Sequence, residues 1–186
     1  MNARNNDGVT RRLALSAITL VLSLLLSPVT QASANPEAFH MVAIENLAQG
    51  KLVTRGEYRE AISRLEPSLA RRSAFEKANN LCVAYTKSQI LDKAADFCNA
   101  AVNVVGADNS SARKTYALDS ERRSRDQAIA LSNRGVLKAV TGNRKGALED
   151  FELALQLYDE LDEFHINLAY VAVFEAADNA TAQVAR

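Results

Sequence analysis

Residues 131–158, LSNRGVLKAVTGNRKGALEDFELALQLY, constrain the fold more than any other stretch of the 186-residue chain. Leu131, Val136 and Val140 lie on one helix. Ala147, Phe151, Ala154 and Leu155 recur at helical spacing on a second. Thr141-Gly142-Asn143-Arg144 separates them with a glycine where a helix ends. Gly135 and Ala147 are small residues at the middle of each helix, and a mid-helix glycine costs about 1 kcal/mol relative to alanine. A close crossing of the two helices would offset that cost.

The same spacing recurs along the chain. Ala169, in His165-Ile166-Asn167-Leu168-Ala169, follows Gly135 by 34 residues. Upstream, Asn80-Leu81-Cys82-Val83-Ala84-Tyr85 is followed by Ala94-x3-Cys98 and Ala101, and Gly56-Glu57-Tyr58-Arg59-Glu60-Ala61-Ile62 starts a further second helix. This pattern resembles the tetratricopeptide repeat, W-x2-L-G-x2-Y then A-x3-F over 34 residues. Ala147-x3-Phe151 and Gly135 match it, as do Leu81 and Tyr85. Leu131, Arg134 and Lys138 stand where the pattern has Trp, Leu and Tyr.

The resemblance implies an all-α, right-handed solenoid of helical hairpins. It has about three repeats, near 42–74, 75–104 and 128–161, and a partial fourth at 162–177. Helices are expected near 37–54, 57–70, 74–88, 91–104, 120–141, 144–158 and 162–176. Pro67 should end the second of these near Glu66. An insertion near 105–119, VGADNSSARKTYALD, is rich in turn formers and separates the second and third repeats.

Residues 1–34 have the features of a cleaved secretory leader. Arg4, Arg11 and Arg12 precede an apolar run from Leu13 to Leu26, Pro28 breaks it, and Ala32-Ser33-Ala34 is an A-x-A cleavage site. The apolar run is shorter than the ~20 residues of a membrane span. The mature domain would be residues 35–186, periplasmic or secreted, with no membrane span. Without the leader, 19 basic and 21 acidic side chains remain, which disfavours nucleic acid as a partner. The charges are uneven: residues 35–145 carry 18 basic and 12 acidic side chains, and residues 146–186 carry 1 and 9. Arg113, Lys114, Arg122, Arg123 and Arg125 form the most basic region, either a solvated face or a dock for an acidic partner.

No catalytic, metal or cofactor motif is present. His40 and His165 are the two histidines, and neither stands in a zinc-binding spacing. The reading that follows is a non-enzymatic module binding a protein or peptide partner. The alternative is an accessory subunit of an envelope enzyme, or an enzyme with an uncommon site.

Three sets of residues carry specific expectations. Asn80, Asn133 and Asn167 share one register position, two residues before Cys82, Gly135 and Ala169. The resemblance implies that such asparagines line a concave groove with Tyr170 and bond the backbone of an extended ligand, which a donor-and-acceptor amide suits. A capping or helix–helix hydrogen bond is the alternative. Cys82 and Cys98, the only cysteines, lie 16 apart on the two helices of one hairpin, and an oxidising compartment favours a disulfide. An ideal repeat sets Cys82 nearest Ala94, so two buried free thiols are the alternative. Finally, Phe164, Val171 and Phe174 lie on a last helix with no partner helix after it, and predict an apolar contact surface for a second copy or a partner. The alternative is that the short tail covers them.

Overall fold

The computed structural model describes residues 35–46, 48–68, 74–110 and 117–184, with backbone alone at 68, 107–110, 117–119 and 175–184. The expected leader lies outside these residues, as do Arg113 and Lys114. Among the described residues there are seven α-helices and no strand: α1 Ala48–Thr54, α2 Tyr58–Leu65, α3 Ala74–Lys87, α4 Leu91–Ser110, α5 Ala117–Val140, α6 Arg144–Leu157 and α7 Asp162–Val184.

The helices pair as three antiparallel hairpins, α1–α2, α3–α4 and α5–α6, each closed by the same turn. The residues after the helix ends, Gly56, Gln89 and Gly142, have φ of 77°, 59° and 85°. The next N–H in each case reaches five residues back: Glu57 to Leu52 at 2.9 Å, Ile90 to Tyr85 at 3.0 Å and Asn143 to Lys138 at 2.8 Å. This left-handed cap consumes carbonyls that the helix end leaves unpaired. Glycine adopts it without strain in two hairpins, and in the third Gln89 bears the steric cost of a Cβ. Gln89→Gly is therefore expected to raise stability by about 0.5–1 kcal/mol, read as a shift of the urea midpoint at unchanged slope. An unchanged or lower midpoint would contradict this account of the turn.

The first helices of the hairpins, α3 and α5, lie side by side with α7, and α4 and α6 cover them from outside. Small residues let the layers approach. Ala94, Cys98 and Ala101 are buried along one stripe of α4, and Ala147, Phe151 and Ala154 along one of α6. A Cβ on Gly135 would come within 2.7 Å of the buried Phe151 ring, so the close crossing expected from its place in the helix is present. Arg134 and Lys138, two of the three departures from the repeat pattern, have a shared partner. The Arg134 Nε and Nη2 donate to the two Asp150 oxygens at 2.8 and 2.7 Å, and Lys138 Nζ lies 2.8 Å from Oδ2. Asp150 is buried, and two cations from α5 compensate its desolvation.

Several expected boundaries are displaced. The helix expected over 37–54 begins only at Ala48. Ahead of it lie a 3-10 turn at Pro36–Ala38 and an extended stretch through Ile44. Residues 42–45 accordingly lie outside the helical hairpins. The insertion expected from 105 is helical to Ser110: Val105 is buried against Ala128 to Leu131 of α5, and this packing overrides the weak propensity of Gly106 and Asp108. The last helix continues to Val184, past the expected end at 176.

Candidate functional site

Phe39 to Ile44 form an arm that crosses the inner layer from α7 over α5 to α3. Three asparagines, one from each helix, hold it by its backbone. Asn167 Oδ1 accepts the His40 N–H at 2.9 Å and its Nδ2 donates to the His40 carbonyl at 2.7 Å. Asn133 does the same for Val42, at 2.9 Å each way. Asn80 does so for Ile44, at 2.7 and 2.9 Å. Each amide thus serves both polar groups of every second residue, the arrangement a neighbouring strand would provide. The spacing fits because an extended chain advances about 6–7 Å per two residues, and adjacent packed helices lie about 8–10 Å apart, which an oblique crossing and flexible side chains accommodate.

A fourth amide completes the ladder. Asn79 Nδ2 donates to the Val42 carbonyl at 2.9 Å, and its Oδ1 accepts the second Asn133 N–H at 2.8 Å. All four asparagines are fully buried with the arm in place. Sequence register points to Asn80, Asn133 and Asn167 but not to Asn79, whose only signal is its adjacency to Asn80.

The arm is buried at its two ends and more open between them. Phe39 is 2% exposed, seated among Val136, Val140, Phe151 and Val171. The Tyr170 ring meets it edge-on at 5.0 Å and 90°. His40 is exposed, Met41, Val42 and Ala43 are half-buried, and Ile44 is buried. At the arm's start, Lys87 Nζ donates to the Pro36 and Phe39 carbonyls at 2.8 and 2.9 Å. Burial pushes this ammonium below the usual lysine range, while the nearby Glu37 carboxylate acts in the opposite sense. At the arm's end, Gly50 of α1 admits the Ile44 carbonyl: a Cβ there would collide with that oxygen. Beyond Ile44 the arm borders a cavity of about 360 Å³, lined also by Glu76, Arg122, Arg125 and Asp126. Arg122 reaches Glu76 at 3.8 Å and Asp126 at 3.7 Å, so this part of the basic region is internally compensated. Burial raises the Asp126 carboxyl, against the pull of Arg122 and Arg125.

Cys82 of α3 and Cys98 of α4 are disulfide-bonded, with Cα atoms 4.7 Å apart. The bridge joins the wall that carries Asn79 and Asn80 to the helix behind it.

The expected apolar surface of α7 is smaller than its sequence suggests. Phe164 and Val171 are not surface residues: both are buried, Phe164 in the core with Ile129 and Ala154, Val171 behind Phe39. These positions form the stripe that faces the third hairpin and the arm. Phe174 is 37% exposed and Val173 69%. Phe174 packs on Tyr170 at 4.8 Å, and the Arg144 guanidinium lies 5.9 Å over its ring. His165 is exposed, and its ring nitrogen lies 3.0 Å from the Asp159 carbonyl.

Among the described residues, no helix is long and apolar enough to cross a membrane, and no group of three or more His, Cys, Asp or Glu is placed to hold a metal ion. Comparison with protein-family models, with curated proteins and with solved structures finds no match.

Proposed function

We propose that this chain is an exported, non-enzymatic interaction module of tetratricopeptide-repeat type, whose groove holds an extended segment of a partner protein by its main chain. The observation that carries the reading is the amide ladder: Asn80, Asn133 and Asn167 come from equivalent places on three helices and each bonds both backbone groups of one residue of an extended stretch. Such bonding is indifferent to the ligand's side chains, so affinity comes from the backbone and selectivity from the pockets between the amides. Export is supported by the leader pattern of residues 1–34 and by the bridged cysteines, a pairing that persists in oxidising compartments. The exposed Phe174 and Val173 leave a narrow apolar strip on α7 for a second copy, a weaker candidate than the groove.

Affinity purification of the mature protein from the envelope or secreted fraction, with mass spectrometry, tests this. Partners are expected on the native protein and on a variant of the exposed α6 residue Leu153→Asp, and to be lost from Asn133→Ala and Asn167→Ala. Partners that persist on the asparagine variants and disappear with Leu153→Asp would overturn the groove reading.

A further inference from the structure

We propose that the groove's partner is an extended apolar segment with an aromatic residue at its first position, and that it enters by displacing the chain's own arm; this rests on the peptide-groove reading above. The arm is a template for its competitor. Phe39 fills a closed aromatic pocket, His40 points to solvent, Met41 and Val42 are half-buried, Ala43 is small, and Ile44 is buried. A matching segment therefore reads aromatic, any residue, apolar, apolar, small, apolar.

The arm can leave without melting any helix. It is bounded by the 3-10 turn Pro36–Ala38 on one side and by a turn at 45–46 on the other. Its hold on the inner helices is through side-chain amides, the Lys87 ammonium on the Phe39 carbonyl, and apolar side chains, of which Phe39 and Ile44 are the buried ones. Once it leaves, the four asparagines face an open groove and are hydrated, so no buried polar group is orphaned. What keeps the arm in place is its tether. A short covalent linker gives it an effective concentration of the order of millimolar, so a free peptide of equal intrinsic affinity loses the competition until the arm is loosened. Gly50 supplies the means to loosen it. A methyl there strikes the Ile44 carbonyl, which is the acceptor for Asn80.

The probe is a fluorescein-labelled peptide of residues 36–46, PEAFHMVAIEN, followed by anisotropy with the full chain. Gly50→Ala is expected to bind it about tenfold more tightly than the native chain. The gain should vanish when Asn133→Ala is added, or when the peptide carries Asp in place of Phe39. A second preparation covers the case in which Gly50→Ala does not fold. A protease site inserted after Asn46 is cut in the folded chain, the arm is washed out, and the same peptide is added. Binding to the cut chain with no gain in a folded Gly50→Ala chain overturns displacement and leaves the groove reading standing. No binding to the cut, arm-free chain overturns both. A dimer formed by Gly50→Ala without peptide, its arms exchanged, assigns the groove to a second copy and overturns the partner proposed here.

Discussion

Replacing Asn133 by alanine is expected to lower the stability of the protein by about 2–6 kcal/mol, because it leaves two buried polar groups without partners at about 1–3 kcal/mol each. The Val42 N–H loses its acceptor, and the Asn79 side-chain oxygen loses its donor. The Val42 carbonyl keeps the Asn79 bond and adds little to the loss. Urea unfolding at fixed pH measures the difference. Asn99→Ala, at an exposed position of α4, is the control and should stay within about 0.5 kcal/mol of the native protein. Equal effects at Asn99 and Asn133 would mean that the ladder contributes nothing beyond a generic substitution.

The second large effect is expected at the cysteines. Replacing both Cys82 and Cys98 by alanine should cost about 3 kcal/mol, the loop-closure entropy of a bridge spanning some fifteen residues. Both sulfurs lie in the core, so reduction is expected to be slow in the native state and rapid once the chain unfolds. Alkylation of the unreduced, denatured protein should find no free thiol, and a double alanine variant as stable as the native protein would contradict the assignment. The bridge forms where an ideal repeat would leave Cys82 opposite Ala94. The α4 stripe of Ala94, Cys98 and Ala101 has no bulky side chain, so α3 and α4 approach until the Cα atoms of the pair are 4.7 Å apart, inside the range a disulfide spans.

The helices that the sequence specified best are those with strong periodicity and a capped end. The expected 74–88 and 144–158 correspond to Ala74–Lys87 and Arg144–Leu157. In the latter, Asn143 accepts the Gly146 N–H at 3.0 Å as an N-cap, closing the turn whose glycine is visible in the sequence. The arm was not legible. Phe39-His40-Met41-Val42-Ala43-Ile44 is apolar and compatible with a helix, and local preference cannot register three amides waiting on helices up to 127 positions away. The ladder was half legible: register placed Asn80, Asn133 and Asn167 together, but not what they would hold. Phe164 and Val171 are buried where the sequence pattern predicts a surface, for a related reason. A helix with apolar residues on most sides does not say which side the rest of the chain covers, and part of that cover is the arm itself, since Val171 lies behind Phe39.

Native-state hydrogen exchange of the arm tests the central claim most directly. The amides of His40, Val42 and Ile44 each donate to an asparagine, whereas the ladder does not bond those of Met41 and Ala43. The account predicts slow exchange at 40, 42 and 44, fast exchange at 41 and 43, and loss of the slow set in Asn133→Ala while the amides of α3 and α5 stay protected. It also predicts that the slow set opens at a lower free energy than global unfolding, as a segment that leaves without melting a helix must. Rapid exchange at all five positions in the native protein would show that the arm is not held in the groove.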